Sequence, residues 1–291
     1  MRGGVRRSRL RQRARWRGGG LDEGVWCREA GARLEAEMAA GRSHVDGRTR
    51  YTPLVMQVFV ILPAAGLGTR MAAALPKQFL ELNGLPILIH SLRAFASVPR
   101  VTAIYVAVRG SEVARVEAQV AEYAPTYDFA GRVHVVEGGD NRQESVANAL
   151  AALKSAEDDV VLVHDAVRPL IDAATIERTI DAVIEHGAAI VGLPAIDTVK
   201  QVERTAHGAL VTSTIPREFV VLAQTPQGFR CGVLHKAFAE ATADGFVGTD
   251  EASVVERAGY PVAVVPGSQV NLKITQPGDL ELAEFYLRQR S

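Results

Sequence analysis

Residues Val58 to Gln78 read V-F-V-I-L-P-A-A-G-L-G-T-R-M-A-A-A-L-P-K-Q. A short apolar run, Val58 to Leu62, ends at Pro63 and gives way to small residues and glycines. This is the pattern of a buried parallel strand running into a loop whose backbone approaches a ligand closely. Gly66 and Gly68 permit positive φ and carry no Cβ, so successive N–H groups can converge on an anion. Arg70 and Lys77 add two cations to the same stretch. Such a loop suits the phosphates of a nucleoside triphosphate better than a neutral ligand.

Two common phosphate-binding motifs do not fit. No G-x-x-x-x-G-K-[ST] string follows Gly66, which excludes the P-loop. The dinucleotide fingerprint G-x-G-x-x-G would need glycine where Met71 stands. The second expected strand also runs into Arg109 rather than into the acid that a ribose would require.

From Val58 onward, strand-like runs alternate with helical patterns. The expected strands are Val58–Leu62, Ala103–Val108, Val133–Glu137, Val160–His164 and Ala189–Leu193. The expected helices are Pro86–Ser97, Glu112–Tyr123, Arg142–Leu153 and Asp172–His186. In the last of these Asp172 is an N-cap and Ile176, Ile180 and Val183 share one face. This alternation predicts an α/β fold with a mostly parallel sheet and helices on both faces. Ligands of such sheets sit beyond the carboxyl ends of the strands.

The segments just after the strands are rich in polar groups. They are Gly138-Gly139-Asp140-Asn141-Arg142-Gln143-Glu144-Ser145, His164-Asp165-Ala166-Val167-Arg168-Pro169 and Pro194-Ala195-Ile196-Asp197-Thr198-Val199-Lys200. Each alone also fits an ordinary reading: Asp140 and Ser145 as helix caps, Asp165 paired with Arg168, Asp197 opening a turn. Three of them on one sheet edge, beside a glycine-arginine-lysine loop, point to a site.

Beyond Lys200 the alternation breaks. Lys200–Thr214, with a turn at Gly208, reads as a projecting hairpin with too few large apolar residues to bury a face alone, which suggests a partner subunit. Ile215–Glu218 and Gln224–Phe229 read as polar segments punctuated by proline. Val233–Ala243 reads as a helix, and Thr249-Asp250-Glu251-Ala252-Ser253 opens another, with Thr249 as a plain N-cap. Val262–Val265 and Gln269–Ile274 read as the last strands, and Pro277 starts a C-terminal helix. Five lysines follow the leader. Lys154 and Lys236 fall in helical patterns; Lys77, Lys200 and Lys273 fall at loops or strand ends. Lys273, between Leu272 and Ile274, needs an anion if it is buried.

The formal charge of zero is unevenly spread. Residues 1–50 hold thirteen arginines, no lysine and six acids, leaving 20 basic and 27 acidic residues elsewhere. An acidic globular part argues against general nucleic-acid binding. The leader, residues 1–55, reads as a disordered basic tail or as sequence upstream of a start at Met56, since its acids do not suit a transit peptide. Residues 56–291 form the expected domain. No apolar run is long enough to cross a membrane. Cys27 and Cys231 suggest neither a disulfide framework nor a zinc site, and a cytoplasmic setting is expected.

With these residues assembled, the chain resembles the 2-C-methyl-D-erythritol 4-phosphate cytidylyltransferases of the non-mevalonate isoprenoid pathway, over about Val58 to Arg288. The resemblance rests on P-A-A-G-x-G-T-R-M, P-K-Q, G-G-x-x-R-x-x-S, H-D-A-x-R-P, D-T-x-K, P-R…Q-T-P-Q-x-F, T-D-E-A-S and N-x-K-I-T, in that order. It implies a Rossmann-like three-layer nucleotidyltransferase fold with a projecting β-arm at about 197–215. It also implies transfer of CMP from CTP to methylerythritol phosphate, with Mg²⁺ and a homodimer whose active sites are shared.

By the same resemblance, Arg70, Lys77 and Lys273 are catalytic. Pro63, Ala64, Ala65, Gly66, Gly68, Gly139, Asp140, Ser145 and Asp165 bind the nucleotide, Asp165 also facing the metal. Arg168, Thr198, Arg217 and Thr249 face the acceptor, with Thr198 and Arg217 reaching a neighbouring subunit. The alternative is a ribitol-5-phosphate cytidylyltransferase, from which Pro63–Gly66 and Thr249–Ser253 differ. A pyridine-nucleotide dehydrogenase would conflict with Met71 and Arg109, and a silent binding module with the retained Arg70, Lys77, Asp165 and Lys273.

Overall fold

The computed structural model describes residues 56–66, 75–206 and 208–290. The leader and the loop residues 67–74, with Gly68 and Arg70, lie outside the described residues. The first half comprises β1 (Val58–Pro63), β2 (Glu81–Leu82), β3 (Leu85–Pro86), α1 (Ile87–Ala96), β4 (Val101–Val108), α2 (Val113–Tyr127), β5 (Val133–Glu137) and α3 (Arg142–Ala152). There follow β6 (Val160–Val163), α4 (Ala173–His186), β7 (Ala188–Pro194), β8 (Val199–Thr205) and β9 (Gly208–Ile215). The chain continues through β10 (Val221–Arg230), α5 (Cys231–Ala243), α6 (Glu251–Arg257), β11 (Ala263–Pro266) and α7 (Pro277–Arg290).

Seven strands form the central sheet in the order β11-β7-β10-β6-β1-β4-β5. β1 pairs parallel with both β4 and β6, β4 with β5, and β11 with β7; only β10 runs antiparallel to its neighbours. The five strands expected from apolar runs all form. Period-2 alternation divides the core. Val58, Val60 and Leu62 pack on one face with α1, α2 and α4. Phe59 and Ile61 pack on the other with α3, α5 and α6. Because β4 and β6 flank β1, successive crossovers leave the first strand in opposite directions. The crevice beyond the carboxyl ends of β1 and β6 is thus the switch point where such sheets bind ligands.

Four local expectations are corrected. Gln224–Phe229, read only as a polar segment punctuated by proline, belongs to β10. Its sequence hides the strand because Pro226 has no N–H to give, and the register shifts between Ala223 and Gln227. Gln269–Ile274 is not a strand: Ile274 N–H donates to Val167 C=O and Asn271 C=O accepts from the Arg168 side chain, without a ladder. Asp250, not Thr249, caps α6, in a reciprocal capping box with Ser253. Lys154 lies past the end of α3 rather than in it.

The sequence reading also passed over the β2–β3 hairpin, whose Asn83 and Gly84 have φ of 51° and 76°. Two successive positive φ values are what a two-residue hairpin turn requires. That hairpin, Val167 and Leu170 meet Ile274 and Ala283, so the C-terminal helix packs close behind the Asp165–Arg168 segment.

Gly228 in β10 has no room for a side chain: a Cβ there would stand 2.6 Å from Val183 Cγ2 and 2.8 Å from Leu162 Cδ2. Gly228→Val should therefore destabilise the fold by about 1–3 kcal/mol through overpacking. Urea unfolding of the variant checks this; an unchanged midpoint would contradict the packing of β10 against α4.

Candidate active site

A cavity of about 400 Å³ opens at the carboxyl ends of β1, β4, β5 and β6. Its walls bring together Pro63, Ala64, Ala65 and Gly66 after β1, Arg109 after β4, Gly139 and Asp140 after β5, and Asp165 after β6. Lys77, Ser145 and Lys273 complete the expected residues found there. The segment after β7 contributes nothing to these walls, nor do Arg168, Thr198, Arg217 or Thr249.

The β1 loop is held from its carbonyl side. Gln78 Nε2 donates to Ala64 C=O at 2.7 Å and Arg109 Nε to Ala65 C=O at 2.9 Å. Gly66 does not use the positive φ that glycine permits, and a Cβ there would meet no described atom within 4 Å. Gly139 is the reverse case, since a Cβ would stand 2.3 Å from Glu144 Cβ. This close approach lets Glu144 accept from Asp140 N–H, and Ser145 Oγ from Gly139 N–H. Asn141, rather than Asp140 or Ser145, caps α3. The helix thus presents its N-terminus to the cavity, where its dipole favours an anion.

Asp165 is 7% exposed and sits among three cations. Its Oδ1 is 3.3 Å from Arg142 Nε; its Oδ2 is 2.9 Å from Lys273 Nζ and 3.5 Å from Arg168 Nε. Burial opposes its ionisation, but Arg142, Lys273 and Arg168 outweigh that and hold the carboxyl well below the usual carboxylate range. Lys273 pairs with an anion, but its side chain is 40% exposed, so the burial considered from sequence does not occur. Arg142 also reaches Glu251, its Nη1 lying 2.6 and 2.8 Å from the two carboxylate oxygens.

Beneath this cluster runs a hydrogen-bonded chain. Asp165 N–H donates to Thr225 Oγ1 at 3.0 Å, and the Thr225 hydroxyl donates to His164 Nδ1 at 3.0 Å. His164 Nε2–H then donates to Arg168 C=O at 3.1 Å, which fixes a neutral tautomer. Asn271 Nδ2 donates to Thr225 C=O at 2.8 Å. Arg142, Thr225, Glu251 and Asn271 are not among the residues expected from sequence. The signal was nonetheless present, for each lies inside a quoted motif: G-G-x-x-R-x-x-S, Q-T-P-Q, T-D-E-A-S and N-x-K-I-T.

Among the described residues no cluster of three or more His, Cys, Asp or Glu side chains could hold a metal ion. No described helix is long and apolar enough to cross a membrane.

A family model described as IspD, 2-C-methyl-D-erythritol 4-phosphate cytidylyltransferase, matches residues 58–289. The chain belongs to that family. It is 68% identical over 241 residues to the 2-C-methyl-D-erythritol 4-phosphate cytidylyltransferase of Acidobacterium capsulatum, covering 81% of this chain and 99% of the relative. The Francisella tularensis enzyme of the same name superposes with a TM-score of 0.64 at 36% identity, covering 79% of this chain and 99% of that one. The 4-diphosphocytidyl-2C-methyl-D-erythritol synthase of Anaerococcus prevotii gives 0.68 at 29% identity, covering 80% and 96%. The protein is a nucleotidyltransferase of isoprenoid precursor biosynthesis that transfers CMP from CTP to 2-C-methyl-D-erythritol 4-phosphate. The ribitol 5-phosphate alternative is not favoured.

His164 makes the site's framework sensitive to acid. Burial is the main cause that pushes its pKa down to about 4, against the pull of the Arg168 carbonyl and Asp165. The unfolded chain therefore binds the proton first. Stability should be fully present above pH 6.5, fall by about 3 kcal/mol as pH drops to 4, and level off in this term below that. His90, also lowered by burial, adds a slope of the same sign. Urea unfolding between pH 7 and 4 checks the slope, and His164→Gln should flatten it while lowering the plateau.

Proposed function

We propose that the cavity is the CTP site and that catalysis there is chiefly positioning and charge stabilisation. A phosphate oxygen of methylerythritol 4-phosphate attacks the α-phosphorus of CTP. The new O–P bond forms as the bond to the bridging oxygen breaks, and pyrophosphate leaves with that electron pair. Negative charge gathers on the transferring group, so preorganised cations lower the barrier. The observation that carries this reading is the meeting of Lys77, Lys273, the β1 loop and the α3 N-terminus around one cavity.

In this reading Pro63, Ala64, Ala65, Gly66 and Gly68 cradle the phosphates, and Arg70 and Lys77 hold the triphosphate. Lys273 supports the α-phosphate from the other side. Gly139, Asp140 and Ser145 lie against cytosine, and Asp165 faces the ribose. A single carboxylate in a phosphate-sized cavity fits Mg²⁺, which leans on substrate phosphates and keeps several waters. Asp165 would hold it, and the ion would supply neutralising charge on the phosphates. Arg168 and Thr249 we assign to the acceptor.

The arm favours a homodimer. Along β8 and β9 nearly every residue is exposed, and Leu210, Val211, Ile196 and Phe219 add apolar surface at the arm and its base. Arg217 Nη1 donates to Ile196 C=O at 2.5 Å, which ties the two ends of the arm together. A second copy covering this surface would bring Thr198 and Arg217 to the neighbouring cavity, which lacks them in its own chain. The enzyme acts in the cytoplasm in this reading, and residues 1–55 are dispensable to the domain 56–291.

The test is pyrophosphate release by protein lacking residues 1–55, with CTP, Mg²⁺ and either methylerythritol 4-phosphate or ribitol 5-phosphate. Release with the first acceptor alone is expected. Lys77→Ala should raise the barrier by about 3–4 kcal/mol while leaving the melting temperature nearly unchanged; turnover within a few-fold of wild type would remove Lys77 from its role. Mixing inactive Lys77→Ala and Arg217→Ala proteins should restore activity, because each mixed dimer regains one intact site. No recovery from a mixture shown to exchange subunits would overturn the shared site.

A further inference from the structure

Glu251 is the most deeply buried carboxylate in the described chain, with 1% of its surface exposed. Burial pushes its pKa up, against the pull of Arg142. A buried acid in the first turn of a seven-residue helix, ion-paired with one arginine, is a costly arrangement unless the pair does more than hold α6. Arg142 is the only cation within ion-pair distance of its carboxylate among the described residues. That arginine lines the cavity and spans two carboxylates, with its shorter contacts on Glu251 and the 3.3 Å contact on Asp165.

We propose that Glu251 is a positioning residue of the nucleotide site, a buried counter-anion that draws Arg142 off Asp165. This rests on the reading that Asp165 faces the nucleotide. Without Glu251, three cations would compete for one carboxylate. Arg142 would be free to close on Asp165 as a two-point pair, the strongest geometry open to a guanidinium. Asp165 would then be spent on protein cations. With Glu251 holding one end of Arg142, Asp165 keeps accepting capacity for the sugar hydroxyls and the ion that accompanies the triphosphate. Glu251 thereby acts from outside the cavity walls, through Arg142.

Glu251→Gln keeps the size and an acceptor oxygen but removes the charge. It should weaken binding of cytidine, measured by calorimetry, by about tenfold, the value of one good polar contact. Cytidine is the probe because it carries no phosphate, so altered charge alone should leave its affinity in place. KM for CTP should rise by a similar factor, with KM for the acceptor moving less than about threefold. Glu251→Asp, which retains the anion, should recover part of the loss.

Unchanged cytidine affinity in folded Glu251→Gln would overturn the proposal. If that variant does not fold, Glu251→Asp decides, because it keeps the anion but sets it back from Arg142 by one methylene. It should bind cytidine more weakly than wild type, and unchanged affinity would count against the mechanism. Asp165→Asn separates the two readings. If it too binds cytidine normally, Asp165 does not face the ribose and the proposal falls with that assignment. If it binds weakly while Glu251→Gln does not, only the role of Glu251 is wrong.

Discussion

A buried carboxylate shared by three cations governs this site. Asp165 sits at the end of β6 with Arg142, Arg168 and Lys273 around it, and these come from three different segments of the chain. Asp165, buried where it stands, would be costly without these partners. Stripping the partners from a buried carboxylate costs about 3–5 kcal/mol, because the remaining charge stays desolvated. The cluster therefore ties the α3 N-terminus, the β6 loop and the segment before α7 into one arrangement. The fold and the site are stabilised by the same contacts.

The sheet explains why these segments meet. β1 lies between β4 and β6, so the loops after β1 and β6 open side by side at the switch point. The antiparallel β10 then passes beside β6 and delivers Thr225 beneath Asp165. A parallel strand could not do this so directly, because its approach to that end would be through a crossover. The polar character of β10 follows from this task. Gln224, Thr225 and Gln227 are buried, and each bonds outward: to Ser268, to Asp165 and His164, and to Asp250 and Ala252. Buried polar groups that are all satisfied rigidify what they touch.

That same feature marks the limit of what the sequence could reveal. Val58–Leu62, Ala103–Val108 and Val160–His164 were legible because parallel central strands are near-continuous apolar runs. Helices α1 to α4 were legible from periodicity and from Asp172. The hidden strand of the central sheet was the one whose side chains serve the site, since polar residues, a proline and a glycine erase the period. Gln269–Ile274 erred in the opposite direction: its apolar residues face α7 and the hairpin rather than a ladder. At the site itself, many residues that line the cavity were readable from position after each strand. The pairing of Arg142 with Glu251 was not, because nothing in a one-dimensional string pairs a residue with another 109 places away.

The arm and the cluster present opposite kinds of surface. At the cluster, the buried Asp165 carboxylate is matched by three cations, which fixes its geometry. On the arm, apolar side chains such as Leu210 and Phe219 stand exposed, at 65% and 84%. A two-stranded ribbon of that kind has little stability of its own. Its register shift between Gln201 and Val202 twists the ribbon further, and Thr212 Oγ1 reaches back to Gln201 C=O at that point. A surface so exposed gains most from being covered. If a second copy covers it, the nucleotide half of each site is built from rigid sheet edge and the acceptor half from a docked ribbon. Acceptor binding would then depend on assembly, while nucleotide binding would depend on the charge cluster alone.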